Sequence, residues 1–149
     1  MSDESLTYKT AGVDTAEAEK AIRGFRDAVR STYSPDVLSD LGLFGGVFSG
    51  RFEGFDDPVL VSSIDGVGTK TSIAVMANSF RGIGKDIVNH SVNDILCQSA
   101  KPLFFLDYFA SSHLKSEQVV EVVEGASEAC KEVNCALIGG EIAEMPGTY

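Results

Sequence analysis

The sequence predicts a two-layer α+β domain in which helices pack on one face of a mixed β-sheet. Four segments show the apolar spacing of helices, and several short β-branched or aromatic runs have the length of strands. The chain has 149 residues, of which 44% are hydrophobic. One domain of this size buries roughly two thirds of the surface of its unfolded chain, so we expect a single soluble domain over residues 1–149.

Net charge and apolar patterning exclude several classes of protein. The formal net charge of −10 opposes association with nucleic acid or with an anionic membrane. No apolar run approaches the roughly 20 residues of a transmembrane helix. The N-terminus also lacks the basic and apolar regions of a signal peptide, so we expect a cytoplasmic protein.

Cysteine usage suggests an ordinary reducing environment. Cys97, Cys130 and Cys135 are odd in number and include no C-x-x-C pair, so neither a disulfide framework nor a zinc site is suggested. All three are interpreted as reduced, buried thiols.

The first predicted helix begins at an N-cap formed by Asp14 and Thr15, with Glu17 in its first turn. It ends before Ser34, because the residue ahead of Pro35 is disfavoured in the helical region. Its apolar face consists of residues at helical spacing: Ala18, Ile22, Phe25 and Val29.

Residues 41–64 contain a glycine-rich segment and a predicted β-hairpin. The glycine-rich segment 41–46 is either a flexible linker or a place where the backbone approaches a ligand. The weakly alternating run 47–52 and the β-branched run 59–64 are separated by a turn that contains Gly, Asp and Pro. We expect these two runs to pair, with the second strand leading directly into Asp65.

The residues after Ile64 have the chemistry of an anion-binding loop, and they run Asp65-Gly66-Val67-Gly68-Thr69-Lys70. The two glycines leave backbone N–H groups free to approach phosphate oxygens, Thr69 offers a hydroxyl, Lys70 offers a positive charge, and Asp65 is able to bind a divalent cation. The spacing is not that of a P-loop. An ordinary glycine turn between a strand and a helix is the alternative.

Two helices are predicted beyond this loop, at 71–78 and 85–99, with an interruption at the glycines of 81–84. The second helix has one apolar half and one polar half. The polar half carries Asp86, His90, Asn93 and Cys97, flanked by Asp94. Such a face is either simply solvated or, because its acceptors are short, part of a magnesium or phosphate site.

Pro102 ends that helix, and the run 103–110 is the most hydrophobic in the chain. Its length and aromatic content predict a central or interface strand. Asp107 lies within it. We expect this residue to face outward on a half-buried strand, or else to make a polar contact at a subunit boundary.

The last predicted elements are a helix and a short strand. Ser116 caps the helix and Asn134 closes it. The strand 136–138 then runs into Gly139-Gly140-Glu141, a second unit in which a strand is followed by glycine and a carboxylate. Residues 142–149 are expected to form a loop.

Three acidic residues stand where side chains are able to converge: Asp65, Asp94 and Glu141. Carboxylates that share a site repel one another unless a cation neutralises them, so their convergence would imply Mg²⁺. Together with Gly66, Gly68, Thr69 and Lys70, they would describe a site for a nucleoside triphosphate.

Five motifs resemble the phosphoribosylformylglycinamidine cyclo-ligase (AIR synthetase) family of purine biosynthesis. They are Tyr8-Lys9-Thr10-Ala11-Gly12-Val13-Asp14, Asp65-Gly66-Val67-Gly68-Thr69-Lys70, Val92-Asn93-Asp94-Ile95-Leu96, Pro102-Leu103-Phe104-Phe105-Leu106-Asp107-Tyr108 and Gly139-Gly140-Glu141-Ile142-Ala143-Glu144-Met145-Pro146-Gly147. These motifs span nearly the whole chain in order.

The resemblance implies an ATP-dependent ligase that closes formylglycinamidine ribonucleotide to aminoimidazole ribonucleotide, with release of ADP and phosphate. It implies that Asp65, Asp94 and Glu141 bind Mg²⁺ and that Lys70, Asp94 and His90 act in catalysis. His90 would be a general base, or would only make a structural hydrogen bond. The nucleotide-binding set it implies is Asp65, Gly66, Val67, Gly68, Thr69, Lys70, Asn93, Asp94, Gly139, Gly140 and Glu141.

The sequence departs from the family pattern at two residues. Ser99 stands where the family usually has glycine, which is compatible with serine if φ is negative there. Ile142 stands where the family often has threonine, so a hydroxyl is lost.

The resemblance also implies an N-terminal domain whose sheet pairs with that of a second copy in a homodimer. Because the family's chains continue into a second domain, we expect this chain to end before the last strand of the first domain and to be inactive alone. Two alternatives remain: a non-catalytic nucleotide-binding or dimerisation module, and a related ATP-dependent synthetase or kinase.

Overall fold

The computed structural model describes residues 6–149, which form four helices and two strands. In chain order these are α1 (Thr15–Arg30), α2 (Lys70–Ala77), α3 (Arg81–Leu96), β1 (Phe104–Ser111), α4 (Ser116–Glu132) and β2 (Ala136–Glu144). This confirms the predicted α+β class. Within the described part of the chain, no helix combines the length and the apolarity that a bilayer crossing requires.

The strands β1 and β2 form a parallel pair, with α4 as the connection between them. Their register runs from Phe104 opposite Ala136 to Ser111 opposite Glu144, with one irregularity after Phe105. The sheet in residues 6–149 is therefore parallel, and the expected mixed sheet is not formed. β2 is also longer than predicted, because Gly139, Gly140 and Glu141 lie inside the strand and pair with β1. The strand continues through residues 142–144, so the loop expected at 142–149 is wrong for these three residues.

The predicted hairpin of 47–52 and 59–64 is wrong for the described chain. Phe48 makes only an isolated antiparallel bridge with Val37, and 59–64 has no strand assignment. Val59 and Ile64 are 85% and 96% exposed. Alternation of side chains indicates that a segment is able to form a strand, but it does not provide a partner.

The structure explains the glycines that suggested an interruption at 81–84. Residues 81–84 form the first turn of α3. Gly84 and Gly125 lie where α3 and α4 touch: a Cβ on Gly84 would collide with the carbonyl of Val122, and a Cβ on Gly125 with that of Arg81. These two glycines therefore allow two helix backbones to come into contact, and they do not end a helix.

The helix termini agree with the sequence patterns in most places. The Asp14 side chain accepts hydrogen bonds from the N–H groups of Ala16 and Glu17, as its N-cap position predicts. α4 differs slightly, because Lys115 is its N-cap and Ser116 its first residue. The N–H of Ser116 instead donates to Glu17 Oε1 at 2.8 Å, which joins the first turns of α1 and α4.

The core lies between α1, α3, α4 and the strands, with α4 at its centre. Its largest fully buried side chains are Val29, Val88, Val119, Ser127, Cys130 and Leu137. Cys130 and Cys135 are buried free thiols, as expected. Cys97 is exposed, contrary to expectation, and is the C-cap residue of α3.

Candidate functional site

The segment 63–70 runs along the polar face of α3, and three pairs of side chains join them. Ser63 Oγ donates to Asp94 Oδ2 at 2.7 Å. Lys70 Nζ donates to Asp86 Oδ2, also at 2.7 Å. Between these two contacts, Asp65 Oδ2 lies 3.4 Å from Nδ1 of His90. We call this set of contacts the loop–α3 ladder.

Helical geometry accounts for the ladder. Asp86, His90 and Asp94 are four residues apart, so they form one stripe on α3. The loop meets this stripe in the reverse order, from Ser63 at Asp94 to Lys70 at Asp86. The predicted meeting of the loop with a polar helix face is thus present in the structure.

The groups of the ladder are open to solvent. The side chains of Asp65, Lys70 and His90 are 50%, 56% and 40% exposed. Asp65 Oδ1 accepts a hydrogen bond from the N–H of Gly66 at 2.6 Å, so its carboxylate stays beside the glycine turn. His90 Nδ1 is buried without a hydrogen-bond partner within residues 6–149 and faces the Asp65 carboxylate without hydrogen-bond alignment.

The loop delivers the N-terminus of α2 to the same place. Gly68 has φ of +73°, a left-handed conformation that favours glycine. α2 then begins at Lys70 without a side-chain cap and with no acidic residue in its first turn. The positive end of its dipole is therefore not offset by a carboxylate of the first turn of α2 itself.

The second glycine–carboxylate unit lies on β2, with no hydrogen bond or ion pair to the ladder in the described residues. Gly140 pairs with Asp107, and Glu141 pairs with Tyr108 and is exposed. No group of three His, Cys, Asp or Glu side chains in residues 6–149 is placed to hold a metal ion. The magnesium set of Asp65, Asp94 and Glu141 thus remains a prediction.

Close packing explains the glycines of this second unit. A Cβ on Gly140 would collide with the carboxyl of Asp107. A Cβ on Gly46 would lie 2.7 Å from Cγ1 of Ile138, so the segment 41–46 rests directly on β2. At Gly46 the backbone approaches β2 and not a ligand, so the approach to a ligand stays a prediction.

Asp107 is the residue whose position the sequence misjudged most. Of its two expected positions, the outward-facing one is wrong, because Asp107 lies on the less exposed face of β1 with Phe105 and Phe109. The polar contact at a subunit boundary stays a prediction. Burial raises the pKa of its carboxyl from the usual 3.8 to about 6. The alternation of side chains along the strand predicts this position, because residues two apart on a strand lie on the same face. Phe105 and Phe109, on either side of Asp107, both pack against the core.

Glu144 was also missed as a residue with a role of its own. Its Oε2 accepts from the N–H of Asp14 at 2.6 Å, and its Oε1 accepts from the N–H of Leu114 at 2.7 Å. Nδ1 of His113 lies 4.0 Å from Oε1, and only 8% of the Glu144 side chain is exposed. Nothing in the sequence around Glu144 indicates these partners, because they are distant in the chain.

Comparison with known proteins places the chain in a family. Residues 51–149 match the family model described as AIR synthase related protein, N-terminal domain. A phosphoribosylformylglycinamidine cyclo-ligase of Alkaliphilus metalliredigens is 50% identical over all 149 residues. Enzymes of the same name from Geobacter metallireducens and Geobacter sulfurreducens are 50% and 49% identical over the same length.

The chain spans 43% of the length of each of these three relatives. The matches cover the ladder, β1 and the Gly139–Glu141 unit, together with the N-terminal segment that precedes the family model. This chain therefore belongs to the AIR synthase related protein family.

Proposed function

We propose that this chain forms the ATP-site part of a phosphoribosylformylglycinamidine cyclo-ligase. The observation that carries the proposal is the identity of about 50% along the whole chain to proteins of that name. The loop–α3 ladder supports it, because Asp65, Lys70, His90 and Asp94 all take part in its contacts and Lys70 is the first residue of α2.

The N-terminus of α2 is suited to the phosphates of ATP. The positive end of the helix dipole favours an anion there, and Lys70 adds a positive charge. Lys70 now pairs with Asp86, with its side chain 56% exposed. An exposed ion pair contributes little free energy, so Lys70 is able to exchange Asp86 for a phosphate oxygen at small cost.

The residues of the ladder also fit Mg²⁺. This ion keeps several waters and is held by one or two carboxylates plus substrate phosphates, so a three-carboxylate cage is not required. Asp65 and Asp94 supply two exposed carboxylates, each with one oxygen free of the hydrogen bonds described above. When bound, Mg²⁺ would offset phosphate charge. Glu141 is proposed as a third ligand on family resemblance alone.

In this chemistry the protein mainly positions the reacting groups and stabilises charge. In the proposed reaction the formamide oxygen of the substrate receives the γ-phosphoryl group, and an internal nitrogen then attacks the activated carbon and expels phosphate. Lys70 and the α2 N-terminus hold the transferred charge, and Asp94 and Asp65 orient the reacting ends. His90, held against Asp65, is placed to accept a proton.

A chimera tests the proposal. This chain replaces the matching segment of the Geobacter metallireducens enzyme, and formation of aminoimidazole ribonucleotide from ATP and formylglycinamidine ribonucleotide is measured. We expect turnover in the chimera, a loss of about 100-fold or more in Asp65→Asn and Asp94→Asn, and no change in Asp56→Asn, an exposed residue outside the ladder. Full turnover in Asp94→Asn would refute the role of Asp94.

A specific observation also favours self-association as a homodimer. Phe104, Leu106 and Tyr108 form a row on one face of β1 and are 42%, 56% and 63% exposed. The unpaired segment 59–64 adds further exposed apolar side chains. An apolar sheet face with an unpaired extended segment matches a second copy of the same chain.

Sedimentation equilibrium tests the homodimer. We expect a dimer for the unmodified chain, and a monomer for Leu106→Lys, which places a charge in the exposed row. Lys101→Glu, an exposed change outside that row, serves as the control and should remain dimeric. A monomeric unmodified chain at all concentrations would refute the interface.

A further inference from the structure

A cavity of about 370 Å³ lies between α1, the segment 40–44 and β2, on the helix-facing side of the sheet. Its walls are mainly apolar and include Ile22, Phe25 and Val29 of α1 and Leu137 of β2. Leu43 and Phe44 stand exposed at its edge. We call it the Asp107 cavity, after the carboxyl that lines it.

Asp107 is the unusual member of this lining. Its carboxyl is buried, and within residues 6–149 it accepts no side-chain hydrogen bond and has only its own backbone N–H as a donor. Gly140, which pairs with it across the sheet, leaves the space that the carboxyl occupies. Burying a carboxyl without a hydrogen-bond partner costs folding free energy, so its presence here needs an explanation.

The other acidic groups at the cavity do not share this condition. Asp40 forms an ion pair with Arg30, which holds the pKa of Asp40 near 2. Glu141 is exposed to solvent. Within the described lining, Asp107 is thus the one carboxyl that is neither ion-paired nor exposed, and it is therefore available to a ligand that enters the cavity.

We propose that the Asp107 cavity binds a compact apolar group that carries an amino or amidino N–H, with Asp107 as the acceptor. A flat ring or short carbon body would fill the space beside Phe25 and Leu137, and its N–H would donate to the buried carboxyl. Two sources carry this chemistry: the aminopurine of a nucleotide and the amidine of the proposed substrate. For its natural ligand the inference rests on the proposed function.

Two probes separate the sources. Adenosine carries an amino group on a flat ring, and benzamidine carries a charged amidine. Each is titrated into the full chain and followed by amide NMR shifts. We expect at least one probe to shift the amides of Gly42, Gly139 and Gly140, which line the cavity, while those of the ladder stay unchanged.

Two variants of Asp107 test the acceptor. Asp107→Asn keeps an acceptor and removes the charge, so benzamidine binding should weaken about tenfold or more while adenosine binding is largely kept. Asp107→Leu removes both, so both probes should lose binding about tenfold or more, although the fold becomes more stable. Asp56→Asn, an exposed change in a loop, is the control and should bind like the unmodified chain.

The outcomes are distinct from those of the proposed function. Unchanged affinity of both probes in Asp107→Leu, or the absence of shifts at the cavity with either probe, would overturn the inference. Loss of Mg-ATP binding in Asp94→Asn with intact probe binding would support both proposals. Probe binding in a chimera that makes no aminoimidazole ribonucleotide would support the cavity and refute the function.

Discussion

The carboxylate of Glu144 accepts a hydrogen bond from the backbone N–H of Asp14, 130 positions earlier in the chain, over 2.6 Å. Asp14 is the N-cap of α1, and Glu144 is the last residue of β2. A second bond from the N–H of Leu114 joins the same carboxylate to the turn before α4. One side chain therefore links the starts of two helices to the end of the strand that carries Glu141.

Replacement of Glu144 should be strongly destabilising. Glu144→Ala leaves two partly buried N–H groups without an acceptor, and we expect the free energy of unfolding to fall by about 3 kcal/mol. Urea unfolding measures this change. Glu132→Ala, at the exposed end of α4, is the matched control and should cost less than about 0.5 kcal/mol. An equal loss in both variants would show that the two hydrogen bonds contribute nothing.

Replacement of Ser99 by glycine should stabilise the fold. Its φ is +57°, so the condition under which serine fits is not met. A non-glycine residue in this left-handed region costs about 1 kcal/mol, and Ser99→Gly should raise the free energy of unfolding by about 0.5–1 kcal/mol. Thermal unfolding measures the gain. Ser62→Gly, at an exposed position where φ is not positive, should give no gain.

The two glycines in the first turn of α3 should respond in opposite directions to alanine. A Cβ at Gly84 collides with the backbone of α4, so Gly84→Ala should destabilise the fold by about 2 kcal/mol or more. Gly82 has open space around it, and Gly82→Ala should stabilise the fold by about 0.5–1 kcal/mol through helix propensity. Urea unfolding of both variants is the measurement. A gain in stability at both positions would contradict the close contact between α3 and α4.

The pKa of Asp107 predicts a pH dependence of stability. Because its folded-state pKa of about 6 lies above the ordinary 3.8, the folded state holds the proton more tightly than the unfolded state does. Stability from this residue is therefore complete below about pH 4 and is lost as pH rises to about pH 6, by about 3 kcal/mol in total. Asp107→Leu should remove this loss.

The difference between the unmodified chain and Asp107→Leu isolates that effect. Asp14, Glu17, Asp40 and Glu128 have lowered pKa values, owing first to hydrogen bonds with Glu17, Ser116, Arg30 and Lys85 respectively. Their contribution has the opposite sign, since it is lost as pH falls below their ordinary values. Urea unfolding from about pH 4 to about pH 7 should show Asp107→Leu gaining on the unmodified chain. A constant difference across that range would contradict the raised pKa.

Local patterns were sufficient wherever the information is local. The Asp14 cap, the apolar face of α1, the polar stripe of α3 and the run of β1 all follow from spacing and from side chains that act within one turn or one strand. The α3 side of the ladder was also predictable, because residues four apart on a helix share a face.

Contacts between distant segments could not be predicted from local patterns. The segment 59–64 alternates like a strand, yet pairing requires a second segment that local alternation does not specify. Gly84 resembles a helix breaker until its contact with α4 is known. The class of fold and the family could be predicted, but the parallel sheet and its register could not.

The sequence by itself determined the presence of four helices, the run of β1, the start of β2 and the membership of the chain in its family, because caps, periodicity and long motifs are properties of neighbouring residues. Only the tertiary structure decided that Asp107 faces a cavity and that Glu144 bonds to Asp14. The free energy of a carboxylate depends on its solvation and on hydrogen-bond donors from distant parts of the chain. The residues next to it in the sequence determine neither of these.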